Sequence, residues 1–215
     1  MAAAVRIGVV ADTHVGEFID ALPAAVPGML AGCDLILHAG DLSSGAVLGE
    51  LRDIAPVVAV RGDHDLPDAA GLPSAAIVAV GGWRIGLIHG SRARAIDASV
   101  VMVGLAAGRD VAYRAGLSRA LVRRMGPLDL IVHGHWHEPT WTRVGGTLVF
   151  SPGAVCPWGS LEGGRAPRSG GAGIADRAVR RYRRQLGPAA MMPRVGIIDT
   201  AGGAIRARSL VVPVQ

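Results

Sequence analysis

The stretch VRIGVVADTH (Val5–His14) joins an apolar run to an abrupt polar end. Val5–Ala11 is continuous, short and rich in branched residues, which reads as a buried strand. The same pattern recurs twice. DLILHA (34–39) runs into GDL, and PVVAVR (56–61) runs into GDHD at 62–65. Helical segments fit between these runs, around Pro23–Leu30 and Gly45–Ile54. This β-α-β-α-β order predicts a parallel sheet with right-handed crossovers. In such sheets functional residues gather at the carboxyl ends of the strands, where all three polar clusters lie.

The second half changes character. AAIVAV-GG-WRIGLIH (75–89), TWTRV-GG-TLVF (140–150) and RVGIIDT-AGG-AIRARSLVV (194–212) read as hairpins around glycine turns. A helix is expected near Asp110–Met125, where Val111, Ala115, Leu121, Val122 and Met125 keep helical spacing until Gly126-Pro127 stops it. DLIVH (129–133) is another buried strand. A parallel half and a hairpin half predict an α/β fold: an αββα sandwich of two mixed β-sheets flanked by helices. It is expected as a single domain over 1–215, with an Arg/Gly-rich insert at about 159–190.

Half of the 215 residues are hydrophobic but only 4% are aromatic, so Ala, Val, Leu and Ile must build the core. No apolar run approaches the roughly 18–20 residues that span a bilayer, and Arg6 interrupts the opening run as a secretory signal would not allow. Cys33 and Cys156 provide no disulfide framework. The expectation is a soluble cytoplasmic protein without membrane partners. The chain has no lysine and no asparagine; all 22 basic residues are arginine. Eight of them (165, 168, 177, 180, 181, 183, 184 and 194) stand against Glu162 and Asp176 alone, so the net charge of +5 belongs to one segment and not to a whole surface. Within it, Ala175, Val179, Tyr182 and Leu186 share one face of an expected helix over 175–187 whose other face is arginine.

All seven histidines (14, 38, 64, 89, 133, 135 and 137) lie in or beside the polar end of an expected strand. They group with acids as DTH (Asp12, His14), GD (Asp41), GDHD (Asp63, His64), HG (His89) and GHWH (His135, His137). In an extended segment residues two apart point the same way, so Asp12/His14 and His135/His137 can each aim two ligands at one centre. Mixed carboxylate and imidazole ligands suit Mn, Fe, Zn, Co or Ni better than Ca or structural Zn. There are too many ligands for one ion, and two ions sharing a carboxylate account for them.

The ordered series D-x-H, G-D, G-[N/D]-H-D, H-G, G-H-x-H resembles the calcineurin-like metallophosphoesterases. Its spacing and small size resemble their compact phosphodiesterase branch, which includes the metallophosphoesterase-like subunit of retromer. The similarity covers about residues 5–155 and the closing hairpin; the Arg-rich insert falls outside it. The resemblance implies that Asp12, His14, Asp41 and His137 hold one metal. Asp41 would bridge to a second held by Asp63, His89 and His135. Two divalent ions are implied, manganese foremost, with Fe, Ni, Zn or Co as alternatives. His38 and His133 are expected to orient ligands from behind. SPGA (151–154) resembles a loop often written N-P-G-S that packs beside the site. Asp63 stands where the family usually has Asn, and Ser91 where it often has a second His.

The implied reaction is hydrolysis of a small phosphate ester, a phosphodiester before a monoester, by in-line attack of a hydroxide shared between the ions. Asp41 and His64 are the expected catalytic residues, His64 protonating the leaving group or stabilising phosphoryl charge. Arg92 and Arg94 are candidates for phosphate contact. One rival is a scaffold that keeps the fold without catalysis. The other is a nuclease or nucleic-acid binder using the arginine helix, which strong salt dependence would reveal. A metallo-β-lactamase site is not expected, because H-x-H-x-D-H is absent: Glu138-Pro139 follows His137, and Pro139-Thr140 stands where that motif needs Asp-His.

Overall fold

The run at Val5–Ala11 forms β1 (Arg6–Val10), and it lies in the middle of a sheet. The computed structural model describes residues 3–69, 71–107, 113–156 and 187–213, together with 181, 184 and 185. Beside β1 run β2 (Leu35–His38) and β3 (Val57–Ala59), reached through α1 (Ala25–Leu30) and α2 (Val47–Arg52). All three strands are parallel, with Val10 opposite His38 and His38 opposite Ala59. On the far side of β1 the closing hairpin, β9 (Arg194–Asp199) and β10 (Arg206–Val211), adds two antiparallel strands, giving the order β10-β9-β1-β2-β3.

The second sheet begins with the hairpin β4 (Ala75–Val80) and β5 (Trp83–Ile88), which turns through Gly81 and Gly82 at φ 58° and 82°. Left-handed φ at both central residues is what a two-residue hairpin needs. After α3 (Arg94–Ala107) and α4 (Tyr113–Met125) come β6 (Leu130–Val132) and the hairpin β7 (Pro139–Val144) and β8 (Thr147–Pro152). The order is β4-β5-β6-β8-β7, with β5, β6 and β8 parallel. This is the expected αββα sandwich.

Alternation along the strands sorts the core into layers. Ile7 and Val9 of β1 and Leu37 of β2 meet Leu87, Val132 and Phe150 of the second sheet between the two sheets. Val10 and Ile36 point the other way, onto Val26, Leu30 and Leu51 of α1 and α2. Ile131 and Val149 face Val101 of α3 with Leu117 and Leu121 of α4. Gly8 belongs to this design, because a Cβ there would stand 2.9 Å from Leu30 Cδ2 and hold α1 away from the sheet.

The helix α3 was not expected. Its sequence, RAIDASVVMVGLAA, carries three valines and a glycine and has too few polar residues to draw a stripe. It buries Val101 but leaves Ile96, Met102 and Val103 exposed. Most of the arginine-rich helix expected over 175–187, and most of the insert at about 159–190, lie outside the described residues. Among the described residues no helix is long and apolar enough to cross a membrane.

Candidate metal centre

Five strands deliver polar residues to one place. Asp12 and His14 follow β1, Asp41 follows β2, Asp63 and His64 follow β3, His89 follows β5, and His135 and His137 follow β6. Backbone bonds fasten these ends together. The Asp12 and His14 amides donate to the Gly40 and Asp41 carbonyls at 3.0 and 3.1 Å, and the Gly134 amide donates to the His89 carbonyl at 2.9 Å. The Val155 and Cys156 amides donate to the Ala11 and Asp12 carbonyls, both at 3.0 Å, which brings the SPGA loop alongside.

Asp12, His14, Asp41 and His137 form one buried cluster of potential ligands, and Asp41, His89 and His135 form another. Asp41 belongs to both. Its Oδ2 lies 3.8 Å from His14 Nε2 and 3.3 Å from His89 Nε2, while its Oδ1 accepts the His64 amide at 2.9 Å. Asp12 is wholly buried; both its oxygens accept the His135 amide, and its Oδ1 is 3.6 Å from His137 Nε2. Asp63 stands at the exposed rim, its Oδ2 3.4 Å from His135 Nδ1 and 3.9 Å from His89 Nε2. Ser91 Oγ donates to Asp63 Oδ1 at 3.1 Å, so the two positions that depart from the motif series touch each other.

The extended geometry expected for the paired ligands is not what the chain adopts. Asp12, His14, Asp41, Ser43, His135 and His137 all have φ between 50° and 75°. For residues with a Cβ this left-handed region is sparsely populated, and each such residue costs of order 1–3 kcal/mol. Asp12 and His14 still converge on one cluster. His135 and His137 do not share one: His137 joins Asp12, and His135 joins His89.

The imidazoles are set for metal. His89 Nδ1 donates to the Ala39 carbonyl at 2.9 Å, and its buried Nε2 has no aligned hydrogen bond. His14 Nδ1 faces Ser43 Oγ at 3.3 Å and Glu17 Oε2 at 3.4 Å. His135 Nε2 donates to Asp97 Oδ2 at 3.1 Å. In each ring the nitrogen far from the cluster keeps its proton in that bond, so the near nitrogen is the one that can give a lone pair to an ion, once the ion displaces any proton it carries. His14 Nε2 and His137 Nε2 face each other at 3.4 Å, an arrangement that a shared cation satisfies. Burial opposes charge on His89, but Asp41 and Asp12 outweigh it and push its pKa up to about 10. The carboxylates thus favour positive charge here strongly, and the residues present fit two divalent ions.

Glu17 and Asp97 escaped the sequence reading. Glu17 accepts from Ser43 Oγ at 2.6 Å and pairs with His14 and with His64 Nδ1, the latter at 3.1 Å. Burial pushes Glu17 up, but the bonds from His14, His64 and Ser43 more than reverse this and leave it well below the carboxylate range. Each histidine ligand needs an acceptor behind it. Glu17, three residues after His14, is the nearest acid in sequence that can serve. Asp97 has no such local cue. Arg92, a candidate phosphate contact, donates from Nε to Asp97 Oδ1 at 2.8 Å, and Arg94 is exposed at the start of α3. His64 is half-exposed; its bond to Glu17 raises its pKa against the opposing effect of burial.

His38 and His133 touch no cluster atom but brace the turns that carry them. The Gly40 amide donates to His38 Nδ1 at 3.3 Å, so Nε2 holds the proton and donates to Thr13 Oγ1 at 3.1 Å. One ring thereby ties the Asp12–His14 turn to the turn before Asp41. His133 Nδ1 donates to the Gly134 carbonyl at 3.0 Å and its Nε2 accepts from Thr140 Oγ1 at 3.3 Å. Burial pushes His38 down to about 3 and His133 down to about 4, from an ordinary 6.5. The unfolded chain therefore takes up these protons first as pH falls. Their contribution is complete above pH 6.5 and drains away toward pH 4 and 3. Together they remove roughly 3 kcal/mol of stability between pH 6.5 and pH 5. Urea unfolding across that range checks this, and His133→Gln reduces the slope by about 1 kcal/mol per pH unit.

The calcineurin-like phosphoesterase superfamily domain matches residues 5–167 of the chain. A probable metallophosphoesterase of Methanocaldococcus jannaschii is 33% identical over 162 residues, which is 72% of this chain and 72% of that protein. Vps29 of Chaetomium thermophilum has the same fold, with a TM-score of 0.62 at 17% identity over 98% of this chain and 97% of its own. A structure described as a novel archaeal phosphodiesterase superposes with a TM-score of 0.51 at 18% identity, covering 95% of this chain and 99% of that one.

Proposed function

Because the chain belongs to the calcineurin-like phosphoesterase superfamily, we propose that it is a phosphodiesterase that works with two divalent metal ions on a small phosphate ester. The observation that carries this reading is Asp41, whose carboxylate is shared by both ligand clusters. Asp12, His14, Asp41 and His137 would hold one ion, and Asp41, Asp63, His89 and His135 the other. Bound there, such ions supply Lewis acidity and water activation at neutral pH. Mixed oxygen and imidazole ligands without thiolate suit manganese, and Fe, Ni, Zn and Co fit the same donors.

The chain's own residues do the rest. The Glu17 carboxylate holds His64 by Nδ1, which leaves Nε2 to carry a proton toward the leaving oxygen. The same bond keeps His64 charged to higher pH than an ordinary histidine. The left-handed turns fix Asp12, His14, Asp41, His135 and His137 before substrate arrives, so little ordering is left to do during reaction.

The test is to strip the protein of metal, restore each ion in turn, and assay bis(p-nitrophenyl) phosphate against p-nitrophenyl phosphate. Expected is turnover that requires two ions per chain and favours the diester. Full loading with two ions and no hydrolysis of either ester would instead make the fold a scaffold. His64→Gln separates acid catalysis from metal binding. Metal content stays at the wild-type level, while kcat falls about 10²-fold for poor leaving groups and little for p-nitrophenolate. An equal loss for both leaving groups would remove His64 from the role of acid.

A further inference from the structure

We propose that Asp97, anchored by Arg92, is a positioning residue for the second metal: it fixes which nitrogen of His135 carries the proton and so controls filling of the Asp41–His89–His135 cluster. This rests on the two-metal reading above.

His135 is the odd member of the ligand set. Its side chain is 21% exposed, against 1% for His14 and 3% for His89. Its Nδ1 lies toward the cluster, 3.4 Å from Asp63 Oδ2, whereas His14, His89 and His137 face inward with Nε2. A partly open ring needs something outside the cluster to hold its orientation and its tautomer. Asp97, in the first turn of α3, accepts from His135 Nε2 at 3.1 Å. Its position is itself fixed, since Arg92 donates to it twice, from the backbone N at 3.1 Å and from Nε at 2.8 Å.

These three groups present only donors to Asp97. Neither Arg92 nitrogen can accept, and an ionised carboxylate only accepts, so His135 Nε2 must be the donor in its bond to Asp97. With the proton held on Nε2, Nδ1 is the only nitrogen of His135 that can bind an ion, and it is the one that faces the cluster. An asparagine at position 97 cannot reproduce this. With its amide nitrogen toward His135, the ring must accept at Nε2 and carry its proton on Nδ1. With the amide nitrogen toward Arg92 Nε, the anchor is lost.

Two measurements on the full chain test the proposal, using Asp97→Asn and Asp97→Ala, with Ser99→Ala on the same helix as a reference. Long-range ¹⁵N imidazole spectra of the metal-free protein read the tautomer directly. Expected is His135 protonated at Nε2 in the wild type and in Ser99→Ala, moving to a mixture or to the Nδ1-protonated form in both Asp97 variants. Titration with Mn(II), followed by calorimetry and metal analysis, reads affinity. Expected is one ion bound as in the wild type and the other weakened roughly 10- to 100-fold. A His135 tautomer that does not respond to position 97, or a second-ion affinity unchanged in both variants, overturns the proposal. A wild-type chain that binds fewer than two Mn(II) ions overturns the two-metal reading instead, and the tautomer spectra still decide whether Asp97 sets the ring.

Discussion

If the chain is a two-metal phosphoesterase, Asp41→Ala is expected to give a folded protein that retains neither ion tightly and loses turnover by about 10³-fold or more, since both ions would supply several kcal/mol of charge stabilisation. The reason is the sharing of one carboxylate. Removing His137 or His135 weakens one cluster, but Asp41 lies in both. Its loss also sets His14 and His89 apart without the negative charge between them. It releases the His64 amide as well, so the β3 end is freed in the same step. Circular dichroism checks the fold, metal analysis the stoichiometry, and a diester assay the rate. A variant that keeps one tight ion and a tenth of the activity would show that the clusters are independent.

Gly62→Ala is expected to approach that outcome without touching a ligand. A Cβ at Gly62 would collide with the Asp41 backbone nitrogen and carboxylate. The amide of Gly62 meanwhile donates to Asp65 Oδ2 at 2.7 Å, which prevents the loop from simply swinging away. Either Asp41 moves or the β3 end does. A displacement near 1 Å costs about 10²-fold in rate, and overpacking costs about 1–3 kcal/mol of stability. Gly71→Ala is the matched comparison, with nothing within 4 Å of its added Cβ, and is expected to be near neutral. Thermal unfolding and metal content of the two variants, side by side, decide the matter. Equal behaviour would mean that the GDHD turn yields freely.

Much of this was legible because burial writes itself into sequence. Val5–Ala11, DLILHA and PVVAVR are strands because nothing polar interrupts them, and glycine pairs mark the hairpin turns. The histidines and acids at strand ends were readable for the same reason, since the strands aim them. What escaped reading depends on contacts made only after folding. Asp97 is one acid among many until α3 places it against His135, and α3 itself lacked a polar stripe to announce it. Arg92 looked available for phosphate because its partner lies five residues on, across a turn into a helix that was not expected. The left-handed φ values at five ligands have no sequence signal either. They arise where strand ends are tied to neighbouring carbonyls, and residues with a Cβ remain there because the side chain is needed.

Each cluster draws on both sheets. Asp12, His14 and Asp41 leave the first sheet while His137 leaves the second, and Asp41 faces His89 and His135 from the opposite side. Bound ions would therefore cross-link the two halves of the sandwich at the end where the apolar layer between them stops. An ion present at a thousand times its dissociation constant adds about 4 kcal/mol to folding, against a total of roughly 5–15 kcal/mol for an ordinary domain. On that reading, a chain starved of metal would be a looser substrate for proteases as well as an idle catalyst. Metal supply would then govern how long each copy survives.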